Sequence, residues 1–157
     1  MVGITDTEVY FPLYKITRAE IARTWGKPGS AGEKAVAAYD EDTVTMAVAA
    51  ALGLEKRSEK KVDGLYFATT TAPYGEKQAA ALIASAIDLE KECWTVDFAN
   101  SVRAGTLAMK AAVDAVKSGS AATFTPTCFM QARARAPAID APTATSKVTF
   151  SLGDHWE

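Results

Sequence analysis

Residues 100–106, Asn-Ser-Val-Arg-Ala-Gly-Thr, follow the apolar segment CWTVDFA (93–99) and lead into a helical pattern that runs to Lys117. A strand turning into a helix sets its turn residues over the helix N-terminus. Free N–H groups and the positive end of the dipole there lower a nucleophile's pKa or hold an oxyanion. Nucleophilic attack or anion binding is the chemistry such an elbow can do, with Ser101 the hydroxyl nearest the turn. A plainer reading stands beside it: Asn100 or Ser101 caps the helix, and Gly105 lets it pack closely. The other candidates are scattered. Cys93 and Cys128 form no CxxC and have no histidine at ligand spacing, so neither a disulfide framework nor a zinc site is expected. As free thiols they read as small buried hydrophobes. His155, the one histidine, lies three residues from the end as an exposed side chain. Arg133 and Arg135 in QARARAP either face a phosphate or sit in a solvated loop.

The elements that must position the elbow follow from pattern. Val2–Pro12 alternates around β-branched and aromatic residues and reads as a strand. Thr17 with Glu20 is a capping box opening a helix over Ile16–Trp25 that stops at Gly26. Asp40, Asp42 or Thr43 can cap the next helix, whose Val44, Ala47, Val48, Ala51 and Leu52 predict one narrow buried face. Val62–Thr71 reads as a buried strand, Lys77–Leu89 as a helix and Cys93–Ala99 as a second buried strand. Ser101–Lys117 is apolar nearly all round, which predicts burial on several sides. The alternation of strands and helices predicts an α/β fold with a mainly parallel sheet. Beyond Ala122 the pattern weakens. Thr123–Thr127 and Val148–Leu152 carry strand character, while Gln131–Ser146 has Ile139 as its one large aliphatic and is expected to be irregular.

Composition narrows the function. With 48% hydrophobic and 23% charged residues the chain is globular, and its 31 alanines point to helices packed closely on a sheet. A net charge of −2 without a basic block gives no grip for a phosphate backbone, so nucleic acid is not an expected partner. Asp6 and Glu8 do not suit a secretory signal, and no apolar run approaches the roughly 18 residues of a membrane span. Two cysteines fit a reducing, cytoplasmic setting.

Four segments, VGITDTEVYFPLYKITRAEIARTWG, EDTVTMAVAAA, LYFATTTAPY and VDFANSVRAGTLAM, occur in the order and near-constant spacing of the N-terminal half of archaeal and bacterial HMG-CoA synthases. The chain thus resembles a member of the thiolase superfamily over residues 2–122. The resemblance implies a thiolase-like half of a layered α/β/α/β/α fold over 1–122, a weakly related and partly irregular tail over 123–157, dimerisation, and acyl transfer or condensation on acyl-CoA. It also places the family's nucleophilic cysteine at Val102, ahead of Arg103-Ala104-Gly105-Thr106, and its glutamate acid/base at Thr70. Arg103, Gly105 and Thr106 are carried over as substrate-binding positions, with a coenzyme A thioester as ligand and no metal. The family's histidine belongs to a C-terminal half, and His155 matches no motif.

Valine cannot attack an acyl group, and threonine is no substitute for a carboxylate in proton transfer. The resemblance therefore implies a ligand-binding or scaffold subunit, either a truncated product or one lobe of a larger assembly, dimeric or joined to a thiolase or an OB-fold/zinc-ribbon protein. The alternative is an active acyltransferase that uses Ser101 or is completed by a partner chain.

Overall fold

The segment Gly64-Leu-Tyr-Phe-Ala68 is apolar without interruption, and all five of its residues are buried. A strand of that kind needs cover on both faces. In the computed structural model, which describes residues 2–57, 61–99, 101–130 and 146–154, it receives that cover. The elements are β1 (Val2–Tyr10), β2 (Tyr14–Thr17), α1 (Arg18–Trp25), β3 (Glu33–Val36), α2 (Thr43–Glu55), β4 (Gly64–Ala68), α3 (Ala79–Ala86), β5 (Trp94–Phe98), α4 (Ala104–Lys117), β6 (Thr123–Met130) and β7 (Ser146–Asp154). Leu65 and Phe67 face a cluster built from α2 and α3, including Val44, Ala47, Ala80 and Ile83. Tyr66 and Ala68 face Ala104, Ala108, Ala112 and Val116 of α4. Three layers result, with the sheet in the middle.

The sheet order is β1-β7-β6-β4-β5, and β2 and β3 form a separate two-stranded ribbon. β4 runs parallel to β5 and β6, whereas β7 is antiparallel to β6 and to β1. β1, β4, β5 and β6 therefore point the same way, and their C-terminal ends lie at one end of the sheet. Asp63 sets the register at the opposite end. Its carboxylate accepts the amides of Ala122 (2.8 Å) and Thr123 (3.1 Å), its N–H donates to the Thr123 carbonyl, and its carbonyl accepts from Trp94.

Local signals act where expected. Thr17 Oγ1 accepts the Glu20 amide, and Gly26 closes α1 at φ 61°, a conformation that glycine adopts without strain. The Glu20 carboxylate, however, pairs with Arg23 instead of completing a capping box, and α1 begins at Arg18 because Ile16 and Thr17 belong to β2. Of the three cap candidates for α2 the fold uses Asp42, which accepts from Val44 and Thr45 while Thr45 Oγ1 takes the Asp42 amide. At the other end of α2, Arg57 pairs with Glu8 and donates to the Thr7 carbonyl. Gly53 lies so close that a Cβ would sit 3.0 Å from Glu8 Cγ.

Three further expectations differ from the structure. α4 is not buried all round: its alanine stripe faces the sheet, while Leu107 is 51% exposed and a Lys110–Asp114 ion pair lies on the outer side. α2 is the more buried helix, with seven buried residues against five, and it buries Met46, Ala50 and Leu54 beyond the face read from spacing because it also packs on β1 and β7. β5 is an edge strand rather than a buried one, so Trp94 and Val96 remain 60% and 40% exposed. The strand character read at Thr123–Thr127 and Val148–Leu152 corresponds to β6 and β7, which lie inside the sheet. Residues 131–145 of the stretch expected to be irregular lie outside the described residues, and Ser146 begins β7.

Removing the Phe67 ring leaves a cavity at the centre of the core. Phe67→Ala is expected to lower unfolding free energy by about 3–5 kcal/mol, and Leu107→Ala by about 0.5 kcal/mol or less. Urea denaturation of the two variants checks the buried centre of β4 against the exposed outer side of α4.

Candidate active-site elbow

Loops leaving the C-terminal ends of parallel strands are where α/β proteins place ligands, since helix N-termini converge there. At this end the 69–78 loop leaves β4, and the 101–103 turn lies beyond the end of β5. Both are tied down by backbone chemistry. The Thr69 amide extends the β4–β5 ladder by donating to the Phe98 carbonyl at 2.9 Å. Thr69 Oγ1, fully buried, accepts the Thr71 amide, and Thr43 of α2 donates to the Thr71 carbonyl at 3.2 Å. Thr70 itself is exposed, as are residues 71–78, with the Lys77 ammonium 5.3 Å from the Tyr74 ring centre.

The loop ends at α3, whose sequence offers no capping side chain of its own. Asp97 of β5 supplies the cap from 17 and 18 residues away, its two oxygens each accepting one amide, from Ala79 and Ala80, at 2.7 Å. Gln78 adds a two-way contact with Thr95, donating to its carbonyl at 2.7 Å and accepting its hydroxyl at 3.1 Å.

At the elbow, Ser101 Oγ accepts the Arg103 amide at 3.1 Å and the Ser101 carbonyl accepts the Ala104 amide at 3.0 Å. The helix thus starts later than the sequence suggested: Ser101–Arg103 is a turn, Arg103 is the N-cap without a side-chain capping bond, and Ala104 is the first helical residue. Asn100 lies outside the described residues. Val102 is 91% exposed beside the helix start. Gly105 is buried, and Thr106 is exposed with its hydroxyl donating to the Arg103 carbonyl at 2.9 Å. Of the carried-over binding positions, Arg103 and Thr106 present side chains outward, whereas Gly105 faces inward. The exits of β1 and the start of α2 join the same end, where the Tyr10 hydroxyl donates to Glu41, a contact that raises the phenol pKa.

The remaining candidates do not gather here. Cys93 immediately precedes β5, at the opposite end of the sheet, beside a cavity of about 250 Å³ lined by Lys61, Asp63, Glu92, Trp94 and Ser120. Burial, then the Asp63 charge, pushes its thiol pKa up, against a smaller lowering by the Leu65 backbone. Cys128 falls within β6, and Arg133, Arg135 and His155 lie outside the described residues. Among the described residues no three His, Cys, Asp or Glu side chains gather as a metal site, and no helix is long and apolar enough to cross a membrane. Sequence reasoning missed Asp97, Gln78 and Thr95. The available signal was a carboxylate inside the apolar strand WTVDF followed back to a helix that lacks a cap.

A mixed sheet of this order, helices on both faces and a strand-to-helix elbow define a thiolase-fold protein. The structure of a 3-oxoacyl-(acyl-carrier-protein) synthase III superposes with a TM-score of 0.79 at 17% identity, covering 99% of this chain and 51% of that one. MvaS in complex with 3-hydroxy-3-methylglutaryl coenzyme A gives 0.77 at 22%, covering 97% and 40%. No family model matches the chain. Within the fold, the hydroxymethylglutaryl-CoA synthase of Pyrococcus furiosus is 38% identical over 124 residues, 76% of this chain and 35% of that relative. The chain is therefore an HMG-CoA-synthase-like member of the thiolase superfamily, spanning about a third of the length of the relatives it matches.

The raised thiol pKa of Cys93 means that less thiolate is present near neutrality than for a free cysteine. Alkylation of Cys93 by iodoacetamide is expected to be slower than that of a model thiol at pH 7.5 and to keep rising with pH above the range where the model thiol levels off. Peptide mapping of the labelled protein across pH 7–10 checks this.

Proposed function

We propose that the chain binds an acyl-CoA thioester at the elbow without forming an acyl-enzyme, and serves as a ligand-binding or scaffold subunit in acyl-group chemistry. Val102 carries the reading: the residue presented at the start of α4 is exposed, so it is placed to meet a ligand, yet it has no lone pair with which to attack one. The first amides of α4 and the Arg103 side chain supply positive potential for a thioester oxygen or a phosphate. The exposed hydroxyl of Thr70 can donate a hydrogen bond but cannot take a proton as a carboxylate would. The similarity to hydroxymethylglutaryl-CoA synthases and the ligand of the superposed complex make a CoA thioester the ligand to test. Against Ser101 as nucleophile stands its bond to the Arg103 amide, which occupies an oxygen lone pair and draws electron density from it. We place the protein in the cytoplasm, where Cys93 remains a free thiol.

Incubation with acetyl-CoA is expected to leave the intact mass unchanged after denaturation. A stable acetyl adduct mapped to Ser101 or a cysteine would instead support an active acyltransferase. Val102→Cys is expected to give slow, stoichiometric acylation at most, because the acid/base position remains Thr70. Rapid multiple turnover by that variant would overturn the assignment of the site.

We propose further that the subunit partner is a second copy joined through β5. The two edges of the sheet are treated differently by the sequence. β1 carries a bulge between Ile4 and Asp6 and two carboxylates, the usual guards against strand addition. β5 pairs with β4 without a bulge, and its one charge, Asp97, is committed to α3. Antiparallel pairing of two β5 strands is compatible with two-fold symmetry and covers Trp94 and Val96. Sedimentation is expected to show a dimer of the 16.6 kDa chain, and Val96→Lys to shift it to monomer; a wild-type monomer at micromolar concentration would refute this pairing.

A further inference from the structure

The loop that carries Thr70 and the turn that carries Val102 belong to different strands, and nothing in either segment fixes one against the other locally. Their relative position comes chiefly from β5, with Thr43 of α2 adding a bond to the Thr71 carbonyl. At its near end, the loop is held by the Thr69 amide on the Phe98 carbonyl. At its far end, it is held by the Gln78–Thr95 contacts and by Asp97 on the amides of Ala79 and Ala80. Between these anchors all nine residues 70–78 are exposed, so packing contributes little to fixing them. Asp97 is also five residues before Val102 on the same chain segment. One carboxylate thus joins the end of the loop to the strand that feeds the elbow, through two charge-assisted bonds of 2.7 Å.

We propose that Asp97 is a positioning residue that holds the Thr70 loop and the Ser101–Val102 elbow at one fixed separation, as ligand binding between them requires. The inference rests on the reading of the elbow as the acyl-CoA site. Asn in its place keeps one carbonyl oxygen but turns an amino group toward an amide donor, so one of the two α3 amides loses its acceptor. The start of α3 then frays and the loop gains freedom. The fold remains, because the core of Leu65, Phe67 and Ile83 is untouched.

Two measurements on the full chain separate the possibilities. In a Cys93→Ser, Cys128→Ser background, nitroxides attached through Thr70→Cys and Val102→Cys report the separation by pulsed electron spin resonance, without any ligand. Asp97→Asn is expected to broaden that distance distribution markedly, while the far-UV spectrum and the urea midpoint show the fold retained. Calorimetric titration of the chain, otherwise wild type, with coenzyme A is expected to show affinity weakened about tenfold or more by Asp97→Asn. An unchanged distance distribution in the folded variant overturns the proposal, and so does a lowered urea midpoint with distribution and affinity both unchanged, which would make Asp97 a stability cap alone. If the wild-type chain does not bind coenzyme A but Asp97→Asn still broadens the distribution, the positioning role stands and the acyl-CoA reading fails.

Discussion

The burial of β4 on both faces is the constraint on which the other elements depend. A five-residue strand with no exposed side has to find an apolar layer above and below, and its alternation sends Leu65 and Phe67 one way and Tyr66 and Ala68 the other. Helices that turn alanines toward the sheet meet that demand, since small side chains let a helix axis approach the sheet closely. The Tyr66 ring fills part of the remaining space against Phe98, with ring centres 5.4 Å apart, and burial raises its pKa. Asp63 then fixes the neighbours of β4, bonding through backbone and carboxylate to the first residues of the strands on either side.

From that centre the site is built outward by polar contacts rather than by packing. The parallel strands deliver their C-terminal ends to one place, and the helices that follow start there. What keeps the exposed loops in position is a small set of bonds between main chain and side chains of another element: Thr43 to Thr71, Gln78 to Thr95, Asp97 to α3. A carboxylate is well suited to this, because two oxygens satisfy the two leading amides of a helix and also oppose its dipole. The helix start and its positive potential are properties of the backbone and do not depend on the side chain at Val102.

The sequence by itself determined the strands and helices of the main layers, the caps of α1 and α2, and the family resemblance, but not the β2–β3 ribbon. Thr17 before Glu20, Asp42 before Thr45 and the unbroken apolar run of β4 act within a few residues of chain, so their meaning does not depend on the rest of the molecule. The strand-to-helix elbow was legible for the same reason, although α4 begins at Ala104 rather than at Ser101. Tertiary structure decided which strands lie at the edge, how many sides of each helix are covered, and what caps α3. β5 looked buried because its composition is that of a central strand, yet strand order is set by pairings between segments distant in sequence. α4 looked buried all round because its alanines carry no sign of which face is covered, while α2 gained a second buried face only by meeting β1 and β7. Asp97 in a strand could not be connected with Ala79 from the sequence, because a hydrogen bond across 18 residues exists only once β4, α3 and β5 have folded against one another.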